Sequence, residues 1–357
     1  MREIRPHGGR SMFARNAWYI AAWGDEVASD KPLARRILGE PVVLFRGHDG
    51  SAAALADRCC HRSAPLSLGR VVEDGIECGY HGLVINGVGQ CVRVPGQRLV
   101  PPGATVRSYP LVEKNQFLWI WPGDPALADP ALIVDFPWHD DAKNWPHKHT
   151  MYPIKGNYML MVDNLMDLTH LGYLHAKTIG GNPSQHVAAE MKVTRTPGGV
   201  KFTRWMRNSP PPPSYVMAAG FKGRIDRLQV FEFVAPSTVL QWTGATDAGS
   251  GVEPDDFAFK FRLFHGLTPE TETTCFYFWS AANGYRQNEP DATELLFGQI
   301  ASAFLEDAAM VQAQQERLNE FGESGLVDIA SDSIRMTMRR HVDRMIAAER
   351  QQQAAAE

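Results

Sequence analysis

The chain reads Asp57-Arg-Cys-Cys-His-Arg62 and, further on, Glu77-Cys-Gly-Tyr-His-Gly82, so a C-x-H pair (Cys59, His61) is followed after sixteen residues by a C-x-x-H pair (Cys78, His81). No other feature limits the fold as tightly, because each loop has to offer one sulfur and one imidazole to a single inorganic centre. Two thiolates on one iron and two imidazoles on the other is the ligand set of one kind of [2Fe–2S] cluster. Replacing two thiolates by neutral imidazoles lowers the negative charge and raises the potential, which makes one-electron exchange with a ferredoxin-type donor feasible. The alternative is a zinc site, but zinc fingers pair like ligands at C-x₂₋₄-C and H-x₃₋₅-H spacing, and that is absent here. The C-x-H spacing selects Cys59 and leaves Cys60 a bystander. Cys91 and Cys275 read as small buried hydrophobes. Five cysteines, an odd number, fit a metal site better than a disulfide framework.

A second set of ligands stands in Asn164-Leu-Met-Asp167-Leu-Thr-His170-Leu-Gly-Tyr-Leu-His175. Tyr158 to His175 reads as helical, with Asp167 and His170 three apart on one face. His175 lies about 140° further round an ideal helix, so the helix is expected to end or widen near Gly172 and Tyr173, through a π-type turn. Two imidazoles and a carboxylate with open positions make the ligand set of non-haem Fe(II) oxygenases. The carboxylate is either Asp167 or one from elsewhere in the chain, and the competing reading has the two histidines packing in a core or capping a helix. A one-electron carrier needs a site to feed, so the two patterns support each other.

The 357 residues suffice for two domains. From about Ala17 to Trp121, short apolar or alternating runs are separated by turn residues such as Asn86-Gly87, which predicts an all-β unit. Proline-rich residues 122 to 146 read as a linker. Strand-like runs follow, including Leu228 to Phe233 and Thr274 to Trp279, then helices over Ala292 to Glu320 and Ser331 to Arg350. The second helix keeps Ile334, Met338, Val342, Met345 and Ile346 on one face, and the tail from Gln351 is expected to fray. The expected division is 11–123 for the cluster domain, 124–150 for the linker and 151–357 for an α+β catalytic domain. Net charge of −4 argues against nucleic-acid binding. No apolar run approaches the roughly 18 residues that span a bilayer, and the arginine-bearing N-terminus lacks a signal-peptide pattern. A cytoplasmic protein without membrane attachment is expected.

Together, Asn16-Ala-Trp-Tyr19, Cys78-Gly-Tyr-His-Gly-Leu83, Val94-Pro-Gly-Gln97 and Asn164-Leu-Met-Asp-Leu-Thr-His170 resemble the Rieske non-haem iron oxygenases, and within them the vanillate and dicamba O-demethylating branch. The resemblance implies an all-β Rieske domain followed by a helix-grip α+β domain, an antiparallel sheet flanked by helices. It assigns Cys59, His61, Cys78 and His81 to the [2Fe–2S] cluster, and His170, His175 and Asp307 to a mononuclear Fe(II). Glu306 is the rival acid, and only the family's Glu-Asp pair selects Asp307. Asp167, with Asn164 beside it, is implied to serve electron transfer, bridging from a neighbouring subunit's cluster within a homotrimer. Gln241 and His265 fall where the dicamba-type enzymes contact the substrate carboxylate. Gln241 replaces an Asn there, and Gly298 a pocket Trp. The implied reaction uses O₂ to demethylate a small methoxylated aromatic to a phenol and formaldehyde. Methyl hydroxylation of an aryl sulfonate or carboxylate, N-demethylation, and a non-catalytic Rieske carrier are the alternatives. With no dinucleotide-binding fingerprint in the chain, NADH is expected to act only through a separate ferredoxin-type reductase.

Overall fold

The computed structural model describes residues 12–356; the expected start of the first domain at residue 11, and the residues before it, lie outside this range. The first part is all-β. It comprises a three-stranded sheet (Tyr19–Trp23, Phe117–Ile120, Leu111–Lys114), a four-stranded sheet (Leu33–Ile37, Glu40–Arg46, Ala52–Ala56, Ser108–Tyr109) and a second four-stranded sheet (Arg70–Val72, Gly75–Glu77, Val84–Ile85, Cys91–Arg93). The Asn86-Gly87 signal is a hairpin turn, closed by a 2.9 Å bond from the Gly89 N–H to the Asn86 carbonyl. One cysteine loop leaves the strand Ala52–Ala56, and the other forms the tip between Gly75–Glu77 and Val84–Ile85.

The second part is built on a seven-stranded antiparallel sheet in the order His147–Ile154, Cys275–Asn283, Phe259–Pro269, Thr238–Asp247, Ile225–Val234, Gly199–Ser209, Glu190–Thr196. Its last six strands in sequence form a meander, and the first closes onto the last. Strand residues alternate between two faces, so Arg227, Gln229 and Phe231 share one face. Across the ladder they meet Ala245, Thr243 and Gln241, and Gln241 and Thr243 meet Leu263 and Phe261. The helix Pro290–Phe321 lies against the sheet through a stripe of Leu296, Ile300, Phe304, Asp307, Ala308 and Val311 at three- and four-residue spacing. The final helix, Ser333–Ala356, buries Ile334, Met338, Val342 and Ile346 as its pattern predicts. It does not fray at Gln351. Gln and Ala are strong helix formers and simply extend a helix anchored before them, where Glu349 takes the backbone N–H groups of Arg15 and Asn16, each at 2.8 Å.

Residues 122 to 146, read as a linker, are packed. Ile133 and Phe136 join Trp18, Trp23, Phe117 and Trp119 from the first part and Leu240, Phe264 and Phe278 from the large sheet in one apolar cluster. Within this segment His139 is buried, with Nδ1 2.8 Å from the Asn115 carbonyl and Nε2 2.8 Å from Ser280 Oγ, so one ring ties both parts together. Burial pushes its pKa down to about 3, which keeps the ring neutral. The approach is close enough that a Cβ on Gly266 would come within 2.3 Å of Ile20 Cδ1.

Phe264 is fully buried, with ring centroids 4.4 Å from Phe117 and 5.4 Å from Phe136. Phe264→Ala is expected to cost about 3–5 kcal/mol and to lower together the melting of the helices, followed by circular dichroism, and the bleaching of the visible cluster absorbance. Bleaching at the wild-type temperature would show that the first part is stable without this packing.

Candidate metal centres

The two cysteine loops have the same backbone design. The Cys59 N–H donates to the Ala64 carbonyl at 2.8 Å and the Ser63 N–H returns to the Cys59 carbonyl at 3.0 Å. Cys78, Leu83 and Gly82 repeat this at 2.8 and 3.0 Å. The residue four after each cysteine has a left-handed backbone, Ser63 at φ 59° and Gly82 at φ 69°, a turn that carries the intervening histidine back toward its cysteine. Asp57 staples the first loop by accepting from the Ser67 N–H and hydroxyl at 2.8 and 2.6 Å. Cys59 and Cys78 are buried while His61 and His81 are exposed, with their rings 4.6 Å apart. Burial first, and then the neighbouring Cys78, push the Cys59 thiol up to about 11. The two loops thus bring Cys59 and Cys78 side by side with His61 and His81, while Cys60 is half-buried and Cys91 and Cys275 are buried.

The second centre departs from the helix expected over Tyr158 to His175. The helix Tyr158–Met166 stops at Asp167, which is extended at φ −118° and ψ 101°. A 3₁₀ turn, Leu168–His170, and one α turn, Leu171–Leu174, follow. The break therefore comes at Asp167, earlier than Gly172, and without a π turn. Its cause is the Asp167 carboxylate, which accepts the Thr169 N–H at 2.8 Å; an Asp side chain competes in this way with the helix ladder. Asp167 consequently shares no helical face with His170, and it is the Asp167 carbonyl that meets His170 Nδ1, at 2.6 Å.

This restart turns His170 and His175 toward one carboxylate, Asp307 on the long helix. Asp307 Oδ1 lies 3.0 Å from His175 Nε2 and 3.4 Å from His170 Nε2. Side-chain exposure is 1 % for His175, 4 % for Asp307 and 25 % for His170. A carbonyl can only accept, so His170 carries its proton on Nδ1. His175 Nδ1 lies 2.6 Å from Glu306 Oε2, which fixes the same tautomer. Both Nε2 lone pairs and Asp307 Oδ1 therefore converge with no proton of their own between them, and a metal cation satisfies such a set. Desolvation raises the Asp307 pKa, but when no cation is present His170 and His175 take up protons on this side, and their hydrogen bonds and charge hold the carboxyl at about 2, the role a bound cation would take over. Asn164 Nδ2 donates to the same Oδ1 at 2.9 Å. Glu306, weighed above as a ligand, instead orients His175 from behind. Its role was not foreseen from sequence.

Beside this triad lies a cavity walled by Leu165, Leu171, Phe231, Phe261, Leu263 and Phe304, with Asn164, Arg227, Gln229, Gln241 and Thr243 as its polar points. Gln241 reaches the cavity wall, but its amide is engaged, with Oε1 3.1 Å from His265 Nε2 and Nε2 donating to Thr243 Oγ1 at 2.8 Å. His265 is fully buried behind it, its Nδ1 2.8 Å from the Tyr277 hydroxyl, and burial drives its pKa down to about 3. His265 is thus neither a surface turn residue nor a lining residue. Arg227 and Gln229 were not anticipated from sequence.

Comparison with known proteins matches both parts of the chain to oxygenase domains. Residues 17–110 match the Rieske [2Fe-2S] domain and residues 154–348 the vanillate O-demethylase oxygenase C-terminal domain. The chain is 41 % identical to a putative toluene-4-sulfonate monooxygenase iron-sulfur subunit of Comamonas testosteroni, covering 95 % of this chain and 98 % of that one. It is 39 % identical to a vanillate O-demethylase oxygenase subunit of a Pseudomonas species, covering 97 % and 98 %. The fold superposes on a crystal structure of dicamba monooxygenase bound to 3,6-dichlorosalicylic acid with a TM-score of 0.88 at 33 % identity, over 94 % of this chain and 98 % of that one.

Purified protein is expected to hold about three irons per chain. Cys78→Ser should remove the cluster's visible and EPR signals, and stoichiometric zinc without acid-labile sulfide would contradict the assignment. Asp307→Ala should leave the cluster spectrum intact and abolish mononuclear iron, whereas Glu306→Ala, which removes only the orienting partner, should weaken iron retention by roughly 10–100-fold. Metal analysis alongside the cluster spectrum separates these outcomes.

Proposed function

The chain belongs to the Rieske non-haem iron oxygenases that carry the vanillate O-demethylase type of C-terminal domain, and from that we propose that it O-demethylates a small methoxylated aromatic acid. The observation that carries this reading is the apolar cavity opening onto His170, His175 and Asp307, a site for a flat ring with one substituent held at the metal. When bound, the mononuclear iron activates O₂ and the cluster supplies electrons one at a time. The cavity walls hold the ring and exclude water, Glu306 and the Asp167 carbonyl fix the imidazole tautomers, and Asn164 steadies the ligand carboxylate. Hydroxylating an aryl methoxy carbon gives a hemiacetal, which collapses to a phenol and formaldehyde.

Oxygenase components of this kind take electrons from a separate reductase, here proposed to be NAD(P)H-dependent and ferredoxin-linked, and the working assembly proposed is a cytoplasmic homotrimer. Among the described residues no helix is long and apolar enough to cross a membrane. Two surfaces support the trimer. His61 and His81 are exposed beside Tyr80 and Leu68, which are 64 % and 78 % exposed. Asp167 and His170 border a cleft flanked by Leu326 and Val327, themselves 65 % and 83 % exposed. In this reading the free oxygen of Asp167 accepts from a neighbouring cluster's imidazole. A second reading, hydroxylation of an aryl methyl group, is favoured by the 41 % identity to the toluene-4-sulfonate relative.

Incubation with reductase, NADH and a panel of methoxybenzoates and methylarylsulfonates decides between the two. Formaldehyde released in step with NADH use supports demethylation, and a benzylic alcohol without formaldehyde supports the second reading. Asp167→Asn is expected to keep both metal sites and to be reduced normally, yet to reoxidise its cluster slowly in stopped-flow when substrate and O₂ are added. Reoxidation at the wild-type rate would remove Asp167 from the electron path.

A further inference from the structure

Arg227 is 3 % exposed and lines the cavity beside the triad. Its Nε donates to the Tyr215 hydroxyl at 3.0 Å, and Nη2 reaches the Ile179 carbonyl at 3.3 Å. Both partners are neutral. Among the described residues no carboxylate forms an ion pair with it, although buried guanidinium groups are ordinarily paired with an acid. Asp226, the residue before it on the strand, is on the opposite face, where it accepts the Asn208 and Gly249 N–H groups at 2.8 and 3.1 Å. Among the described residues Arg227 Nη1 has no hydrogen-bond partner, and the side chain belongs to the cavity wall.

Its surroundings add to the imbalance. Gln229, two residues on and on the same face, also lines the cavity. Its Oε1 accepts from Arg204 Nη1 at 3.5 Å, leaving its amide N–H groups unspent. Arg204, 3 % exposed, is held only by the His186 and Leu168 carbonyls and that amide, again with no acid in contact. One buried cation, Arg227, and the Gln229 amide therefore line a largely apolar cavity, with Arg204 behind Gln229, while Gln241 and His265 are committed to each other and to their neighbours.

We propose that Arg227, assisted by Gln229, is the receptor for an anionic substituent of the substrate, a ring carboxylate or sulfonate, and so selects aromatic acids over their uncharged analogues. The proposal rests on the reading of this cavity as the substrate site, and it moves the anion contact away from the Gln241 and His265 positions that the family resemblance implies. A guanidinium offers parallel N–H donors that match two oxygens of either anion. It also explains why the chain keeps a guanidinium here with no acid beside it, held only by neutral acceptors and by the Tyr215 ring 4.7 Å away: the counter-ion arrives with the ligand.

Binding calorimetry on the iron-loaded protein tests this without requiring turnover. The probes are 4-methoxybenzoate, 4-toluenesulfonate and uncharged 4-methoxybenzamide. Wild-type protein should bind at least one anion on the order of 30-fold or more tighter than the amide, and equal affinities would overturn the proposal whatever any variant does. Arg227→Met should remove most of that preference, and Arg227→Lys, which keeps the charge but loses the fork, should retain part of it. Preference kept in full by Arg227→Met with its iron and cluster intact would also overturn it. Which of the two anions binds tighter identifies the substituent. If the anions bind through Arg227 but no formaldehyde forms from any methoxy compound, the receptor assignment stands and the demethylation reading falls.

Discussion

Three lone pairs that cannot satisfy one another, on His170 Nε2, His175 Nε2 and Asp307 Oδ1, set the terms for the second half of the molecule. With both Nδ1 protons committed to the Asp167 carbonyl and the Glu306 carboxylate, the opposite nitrogens face an ionised acid across 3.4 and 3.0 Å. Such a cluster is repulsive unless a cation or extra protons occupy it. Holding it closed takes rigid elements on both sides. The long helix supplies Asp307 from within an apolar stripe pinned to the sheet, and the kinked 158–175 segment supplies the histidines, its kink enforced by the Asp167 side chain. Metal binding would relieve that repulsion; His175 and Asp307 are enclosed, while His170 and the orienting Glu306 lie nearer the surface.

Much of this was legible from residue patterns. C-x-H and C-x-x-H spacing isolates the cluster ligands because each loop is short enough for one turn to set both side chains. Strand alternation and Asn-Gly turns reveal the all-β part, since those signals are local. Helix periodicity also separates Glu306 from Asp307: Asp307 falls three residues after Phe304 and four before Val311, on the apolar stripe, while Glu306 falls one position off it. An acid in register with a buried face is a stronger metal-ligand signal than an acid beside it.

What could not be read depends on contacts between distant segments. Residues 122 to 146 look like a linker because prolines deny them regular structure, yet irregular backbone can pack as densely as a helix when its few apolar side chains have somewhere to go. Ile133, Phe136 and His139 find a gap between two sheets that sequence does not place side by side. The kink at Asp167 was misplaced for a related reason. Spacing predicts where a straight helix would fail the metal geometry, but not which side chain would break it first. Arg227 and Gln229 were hidden within an ordinary strand run, and only the absence of a partner, a property of the whole fold, marks them.

Burial runs in opposite senses at the two centres, and this restricts how they can communicate. At the cluster the sulfurs are inside and the imidazoles outside, so the exposed edge is formed by His61 and His81, whose outer N–H groups can donate to an acceptor beyond the chain. At the second centre the most enclosed ligands are His175 and Asp307, and the most exposed is His170, whose Nδ1 is tied to Asp167. Each centre thus turns an imidazole toward its surface and its acid–base chemistry inward. A path joining the exposed edges need not cross a hydrophobic core; it requires only that two surfaces meet, with the unspent oxygen of Asp167 available where they do. Keeping electron entry at the surface and the substrate in a water-poor cavity lets the two functions be tuned separately. The potential follows from hydrogen bonds at the rim, and the selectivity from a charge buried out of solvent's reach.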